Sequence, residues 1–392
     1  MGATATLRPG FLLHQVLGFD PYLVAEKMKP AEEVLRMSGV PGLPQCHYLW
    51  SVFFDQVDLL SDQEAAAALS HLLSMENVRL GLEGVRQAAV TEGQMPLLGV
   101  GQPDAKSVKA EAKAEQEHLS QCHRLVGMMR VQKRWAYWLR ALLRHDWPAE
   151  RIPQMHFQDA NGDALKMVRH VVHVFEQYGY TLDALDALAS LILYGCGALA
   201  ELPARIPPEV WQQGLEALDF PLLLSQPADY LGTLAAESGM GQGNGFFPTP
   251  MAVVKFMVAA ALQQEGQEGE GTGETEPWKT KSVWDPCLGT GRFLLEASNR
   301  SLNLWGTDIN RQLLKFAQVN FLLWVPWAYW PLDSVPTVWC ADSLQLPEQL
   351  ERERLAQASE QRLAWQRISA LVMGLPAPRV AGTVDGSSLP SA

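Results

Sequence analysis

Apolar residues recur every three to four positions through the first half of the chain, which predicts helix after helix up to about residue 220. Three segments carry the pattern most clearly: Met128–Leu143, Ala164–Tyr178 and Thr181–Leu193. Ser61 stands three residues before Glu64, ahead of another periodic run, and this is the signature of a capping box at a helix start. The pattern predicts a helical N-terminal domain over residues 1–220, with a loop break near 93–104.

Short apolar runs alternate with helical patterns in the second half of the chain. The predicted strands are Ser282–Trp284, Leu302–Gly306, Thr337–Cys340 and Ile368–Met373. The predicted helices between them are Phe293–Ser298, Arg311–Leu323 and Gln349–Arg367. Strand–helix alternation with glycine at the strand ends is typical of a doubly wound parallel sheet. The sequence therefore predicts an α/β fold, with a sheet domain over residues 221–380 following the helical domain.

Turn-forming and charged residues divide this second half further. Thr249 and Pro250 are expected to cap and open a helix over Met251–Leu262, because proline is tolerated in a first helical turn. The Gly- and Glu-rich segment 263–276 is predicted to be an acidic, solvated loop. The last residues, 381–392, are predicted to be a disordered tail.

Composition narrows the class of protein. Of 392 residues, 47% are hydrophobic and 19% charged, which excludes a generally disordered chain and allows two or three domains. A net charge of −12 excludes nucleic-acid binding by overall positive charge, so contact with DNA would need a local patch or a partner. The best local patch is a basic stripe on one helix, for which a solvated face is the favoured alternative: Arg130, Lys133, Arg134, Arg140 and Arg144.

Cysteine usage and hydropathy bear on location. The five cysteines form no C-x-x-C pair, which favours a reducing cytoplasm and argues against a zinc ribbon or a disulfide framework. No apolar run reaches the roughly 20 residues of a membrane span, so no membrane partner is expected. His170 and His173 share a helix face without a nearby acidic or thiol ligand, so no metal site is predicted.

The segment Asp285–Gly291 (DPCLGTG) is the most informative chemically, because it joins a predicted strand, a Gly-x-Gly turn and a helix. Such a turn brings backbone close to a ligand and directs helical N–H groups at it. Alone it suits NAD, FAD or S-adenosylmethionine, and a tight turn without a ligand is equally compatible. Asp308 and Asp342 follow the next two strands. A carboxylate at these positions can accept from the ribose hydroxyls and from an adenine amino group, respectively. Taken singly, each aspartate also fits a turn or a helix cap.

Several motifs in this order resemble adenine-specific DNA methyltransferases, and among them the modification subunits of type I restriction systems and related N-6 DNA methylases. The motifs are Asp229–Gly232 (DYLG), Gly245–Pro250 (GFFPTP), Asp285–Gly291, Gly306–Asn310 (GTDIN), Asn320 and Ala341–Leu344 (ADSL). The resemblance covers roughly residues 226–345, less than half of the chain. It implies a Rossmann-like domain that uses S-adenosylmethionine in a DNA modification or restriction-modification system.

The resemblance also implies which residues would contact the cofactor: Phe247, Thr249, Pro250, Asp285, Pro286, Gly289, Gly291, Asp308 and Asp342. The Phe-Pro-Thr-Pro segment would fold over the methionine end of S-adenosylmethionine, and the turn with its glycines would cradle the amino-acid part. Asp308 would hold the ribose, and Asp342 would meet the adenine.

One departure from the family pattern concerns catalysis. The family carries Asn- or Asp-Pro-Pro-Tyr or -Phe after its fourth strand, where the first residue accepts from the target amine and the aromatic ring stacks on the flipped base. Here that place is held by Leu375, Pro376, Ala377 and Pro378. Leu375 has no side-chain acceptor and Pro378 no aromatic ring, so the motif is degenerate. The sequence predicts a chain that is weakly active or inactive alone.

A second departure concerns partners. The resemblance implies about three more strands than the pattern shows, and a target-recognition region beyond the sheet or on a partner. Four alternatives stay open: an intact enzyme, one half of a split methyltransferase that needs a partner chain, a non-catalytic binding subunit, and a helical scaffold, which explains least. DNA is expected to be bound through a partner subunit.

Overall fold

The computed structural model describes residues 9–17, 56–70, 105–179, 181–238, 246–262, 281–333 and 335–372. The predicted loop break near 93–104, the acidic loop 263–276 and the tail 381–392 lie outside these ranges. None of the helices in the described ranges combines the length and apolar character that a membrane span needs.

The first part of the described chain is helical, as the apolar spacing predicts. Its helices are α1 (Leu13–Leu17), α2 (Ala105–Arg144), α3 (Gly162–Glu176), α4 (Thr181–Gly195), α5 (Pro208–Ala217) and α6 (Phe220–Ser225). Residues 62–70 form a further helical segment. Its predicted capping box is confirmed, because the Ser61 amide donates to Glu64 Oε2 (2.9 Å) and the Glu64 amide donates to Ser61 Oγ (3.2 Å).

The second part contains a small parallel sheet between helices. In chain order its elements are α7 (Tyr230–Glu237), α8 (Met251–Leu262), β1 (Ser282–Asp285), α9 (Arg292–Ala297), β2 (Asn303–Asp308), α10 (Arg311–Trp324), α11 (Pro326–Tyr329), β3 (Val338–Cys340) and α12 (Pro347–Val372). The strands are parallel in the order β1-β2-β3, with Val283 opposite Leu304 and Gly306 opposite Val338. Three of the four predicted strands are confirmed.

The fourth predicted strand, Ile368–Met373, is wrong over its described residues. Residues 368–372 continue α12, and Met373 lies outside the described ranges. Ala364, Trp365 and Ile368 are buried at helical spacing, so the short apolar run is the buried face of a helix rather than a buried strand. The position of Leu375–Pro378 after a fourth strand therefore loses its support, and these residues also lie outside the described ranges.

The two faces of the sheet differ in what covers them. Val283, Leu304 and Val338 belong to the hydrophobic core on one face. The other face carries an indole stripe, which we define as Trp284, Trp305 and Trp339 on successive strands. Arg354 of α12 lies over the second and third of these rings, with its guanidinium carbon 5.0 and 5.8 Å from their centroids. The first, Trp284, is 51% exposed.

One hydrophobic core extends from α1 to α12, across the predicted boundary at residue 220. The aromatic segment that follows α10 is part of it, since Trp324, Trp327 and Trp330 are buried. These rings therefore pack within the core. The division into domains at residue 220 stays a prediction.

A buried guanidinium joins the helical part to the strand-containing part. Arg134 of α2 donates from Nη1 to Ser298 Oγ (2.9 Å) and to the Trp324 carbonyl (3.0 Å), and from Nη2 to Asn299 Oδ1 (2.7 Å). Its Nε donates to the Pro153 carbonyl (2.8 Å). We call these five residues the Arg134 cluster. They hold α2 against the ends of α9 and α10.

The basic stripe on α2 is largely internal. Arg130 donates to backbone carbonyls of residues 57 and 60 and pairs with Asp62, and Lys133 pairs with Asp58. Together with the buried Arg134, these cations are engaged within the protein. The prediction of a phosphate-contacting or solvated stripe is wrong for them, because helical periodicity does not say which face meets a distant acidic segment.

Candidate functional site

A cavity of about 1020 Å³ lies at the carboxyl ends of β1 and β2. This is the edge at which open parallel sheets bind ligands, and the volume suits a small organic molecule. Of the sequence-predicted contacts, six line it: Phe247, Thr249, Asp285, Pro286, Gly289 and Asp308. Pro250, Gly291 and Asp342 are not among its lining residues.

The Gly-x-Gly turn needs both of its glycines. Gly289 and Gly291 have φ of 56° and 86°, the left-handed region in which a side chain is strained. A Cβ at Gly291 would stand 2.6 Å from Cζ of Phe321 on α10. A Cβ at Gly289 would stand 3.2 Å from the Phe246 ring. Gly289 thus keeps the backbone open toward the cavity, whereas Gly291 lets the turn pack closely on the helix behind it.

Two carboxylates at the strand ends shape this backbone. Asp308 accepts from the Gly289 amide at Oδ2 (2.7 Å) and from the Asn310 amide at Oδ1 (2.8 Å). Asp285 accepts from the Cys287 amide (3.1 Å). Each carboxylate oxygen can accept one more hydrogen bond. Burial, aided by the negative charge of Asp308, raises the pKa of Asp285 above its ordinary value. A cationic group beside the two carboxylates would offset this repulsion.

The Phe-Pro-Thr-Pro segment forms the opposite wall. The Phe247 ring is 77% exposed at the cavity. The Thr249 carbonyl accepts from Arg292 Nη1 (3.0 Å). The predicted role of Thr249 as helix cap is wrong, since the Met251 amide that opens α8 donates to Asp159 Oδ1 (3.0 Å). A carboxylate from a distant loop supplies the cap.

A buried carboxylate beneath the turn is the main feature that sequence reasoning missed. Asp229 is 1% exposed and accepts from Thr290 Oγ1 and from Arg292 Nε (2.8 Å) at Oδ2. At Oδ1 it accepts from the Gly232 amide (2.9 Å) and from Asn320 Nδ2 (3.0 Å). We call these five residues the Asp229 cluster. Asp229 and Asn320 stand in the resembling motifs without an implied role, and the Asp-x-x-Gly spacing is the signal of a helix cap.

Asp342, the predicted adenine contact, lies apart from the main cavity. Its carboxylate is exposed and accepts from the Leu344 amide (3.0 Å). It lines a neighbouring cavity of about 610 Å³, and Ile309 and Arg311 border both spaces. The structure therefore brings Asp285 and Asp308 to one cavity and leaves Asp342 beyond its rim.

The described residues show no arrangement for metal binding. Within those ranges, no three His, Cys, Asp or Glu side chains are grouped as metal ligands would be. His170 and His173 are both exposed on α3. Carboxylates, two arginines, backbone amides and aromatic rings line the cavity.

Comparison with known proteins gives the class of this segment. Residues 229–325 match the family model described as N-6 DNA Methylase. The resemblance to N-6 adenine DNA methylases is confirmed over these residues, which include the Asp229 cluster, the Gly-x-Gly turn and Asp308. The match covers well under half of the chain. No curated protein matches the sequence.

Among solved structures, the chain is similar to the methyltransferase subunit of a type I restriction-modification system from Streptococcus thermophilus. The identity is 16%, the alignment covers 81% of this chain and 56% of that one, and the TM-score is 0.21. The chain thus spans little more than half the length of that subunit.

Proposed function

We propose that the cavity binds S-adenosylmethionine, and that the chain serves adenine-N6 methylation of DNA in a restriction-modification system. The observation that carries the proposal is the convergence of Asp285, Gly289 and Asp308 on one cavity inside the matched segment. The three parallel strands would then be part of a doubly wound methyltransferase domain over residues 221–380, incomplete in its sheet and preceded by a helical domain.

The donor set suits this cofactor. S-adenosylmethionine carries an ammonium, a sulfonium and two ribose hydroxyls, and Asp285 and Asp308 keep lone pairs for such groups. Gly289 leaves room that a side chain would fill. In this proposal Phe247, Thr249 and Pro250 hold the methionine end. The remaining proposed contact in the cavity is Pro286, while Gly291 would act by holding the turn from behind and Asp342 would meet the adenine from the neighbouring cavity.

When bound, the cofactor would supply the methyl group, and the protein would hold the target adenine beside it. The residues proposed for that task are Leu375, Pro376, Ala377 and Pro378. Since α12 replaces the fourth strand that set the register of Leu375, the proposal of low activity by the chain alone rests on the incomplete sheet. A non-catalytic binding subunit is the alternative.

A partner chain is the second part of the proposal. Within the described ranges β1 pairs with β2 alone, and the indole stripe is open at Trp284. Parallel sheets are ordinarily covered on both faces and bordered by further strands, so these features support a partner that extends the sheet at β1. With a net charge of −12, the chain would reach DNA through such a partner, in the cytoplasm.

Calorimetry with S-adenosylmethionine on the purified chain tests the cofactor assignment. We expect binding, and about 10- to 100-fold weaker binding in Asp308→Ala, which removes a charged acceptor. Asp163→Ala is a matched control, because that carboxylate is exposed on α3. Absence of binding at millimolar ligand, or equal affinity in Asp308→Ala, would refute the assignment.

Transfer of a tritiated methyl group to unmethylated DNA tests the reaction. We expect little transfer by the chain alone and clear transfer when its partner is present. Rapid transfer by the purified chain would show that another residue accepts from the target amine.

A further inference from the structure

We propose that Asp229 is the positioning residue of this cofactor site, holding the two walls of the cavity in register through Thr290 and Arg292. The inference rests on the proposed function, and it assigns a role to a carboxylate that does not line the cavity. The ligand class whose affinity depends on it is the S-adenosyl amino acid.

The Asp229 carboxylate is saturated with hydrogen bonds. Each Asp229 oxygen accepts two hydrogen bonds, so its four lone-pair positions are filled. The donors come from α7, from the Gly-x-Gly turn, from α9 and from α10. A single buried group therefore sets the relative positions of three helices and the turn between them.

The Gly-x-Gly turn is held from beneath at Thr290. Thr290 is its middle residue and lines the cavity. Its hydroxyl donates to Asp229, and its carbonyl accepts from Asn320 Nδ2 (2.9 Å). Both the side chain and the backbone of this residue are thus fixed from beneath. Gly232 leaves the space that the carboxylate occupies, since a Cβ there would stand 2.1 Å from Asp229 Oδ2.

Arg292 links the opposite wall of the cavity to the same carboxylate. Arg292 donates to Asp229 through Nε, to Thr233 Oγ1 through Nη2 (2.8 Å) and to the Thr249 carbonyl through Nη1 (3.0 Å). The same Nη1 lies 3.5 Å from Asp159 Oδ1, the acceptor that caps α8. Arg292 therefore ties the Phe-Pro-Thr-Pro segment to the carboxylate that holds the turn.

These contacts predict an effect on ligand affinity that packing alone does not. A preorganised site binds more tightly because its donors and acceptors need no rearrangement. The Arg134 cluster is an equally buried polar network, but none of its members lines the cavity. Substitutions in the Asp229 cluster should therefore change ligand affinity, whereas substitutions in the Arg134 cluster should change only the stability of the fold.

The test uses Thr290→Val, which removes the hydroxyl donor at nearly constant volume, and Thr290→Ser, which keeps it. Calorimetry with S-adenosylhomocysteine, well below each variant's Tm, gives the Kd of the folded fraction, and the stoichiometry reports that fraction. We expect a roughly tenfold higher Kd for Thr290→Val. Thr290→Ser is expected within about twofold of the unaltered chain.

Arg292→Lys is a second variant, which keeps a positive charge near Asp229 but not the fork that reaches the Thr249 carbonyl. It too is expected to raise Kd, whereas Arg134→Lys lowers Tm and leaves Kd unchanged. Kd unchanged in both Thr290→Val and Arg292→Lys, with only stoichiometry or Tm reduced, overturns the positioning role. Equal weakening by Thr290→Ser and Thr290→Val overturns it as well. No binding by the unaltered chain overturns the proposed function itself.

Discussion

Two buried charges, Arg134 and Asp229, are stabilised by different kinds of partner. Among the described residues, Arg134, between the helical and strand-containing parts, donates to neutral carbonyl, hydroxyl and amide oxygens. Asp229, beneath the cavity, receives a guanidinium as well as neutral donors. Burial lowers the pKa of Arg134 to about 9, opposed by the charges of Glu296 and Asp58. The guanidinium that joins two parts of the fold thus has neutral acceptors at hydrogen-bond distance, whereas the carboxylate beneath the Gly-x-Gly turn also has an opposite charge there.

The largest effect is expected for Asp229→Asn, which keeps the shape of the side chain but leaves Arg292 without its buried counter-charge. Breaking a buried ion pair destabilises by about 3–5 kcal/mol. Urea unfolding followed by circular dichroism measures this change. Asp163→Asn, at an exposed pair with Lys166, is the control and should change stability by less than about 0.5 kcal/mol. Similar losses in the two variants would contradict the role given to the buried pair.

Arg134→Met should have the next largest effect. The substitution leaves several buried acceptors of the Arg134 cluster without a donor, and we expect a loss of about 2–4 kcal/mol in the free energy of unfolding. The same urea titration measures it. The comparison between the two charges would fail if this variant also weakened S-adenosylhomocysteine binding in its folded fraction.

A smaller effect is expected from Gly291→Ala, and Gly162→Ala is its matched control. Both glycines have positive φ, but a Cβ at Gly162 meets no atom within 4 Å, whereas one at Gly291 meets Phe321. The strain of a side chain in the left-handed region amounts to about 1–2 kcal/mol. We therefore expect Gly162→Ala to lose that much free energy of unfolding, and Gly291→Ala to lose more. Thermal unfolding of both variants measures the difference, and equal Tm values would show that the turn adapts without strain.

The smallest effect is a dependence of cofactor binding on pH. The pKa of Asp285 is raised, so its carboxylate takes up a proton at a higher pH than an ordinary aspartate and then no longer attracts a cationic ligand. We expect affinity for S-adenosylmethionine to fall less than about tenfold as pH is lowered from 7 to 5. Calorimetry across this pH range is the measurement. If the affinity of Asp285→Asn still fell with pH, a group other than Asp285 would be responsible.

Local signals in the sequence predicted what depends on neighbouring residues. Glycines and aspartates at strand ends marked β1, β2 and the turn, and serine before glutamate marked a capped helix. The Asp229 cluster was missed because its donors Thr290, Arg292 and Asn320 stand 61, 63 and 91 residues away along the chain. Periodic patterns along the chain do not reveal contacts between residues so far apart in sequence. The fourth strand was predicted wrongly because the local signal was ambiguous. A short apolar run is compatible with a buried strand or with the buried face of a helix.

The Arg134 cluster also has a consequence for synthesis on the ribosome. The Trp324 carbonyl that Arg134 needs stands 190 residues further along the chain. At typical translation rates of 5–20 residues per second, roughly 10–40 s pass between the two. During that interval α2 cannot close its contact with α10, and the apolar surfaces on both sides of Arg134 stay open to water. The nascent helical part therefore exposes this apolar surface until α10 has been synthesised.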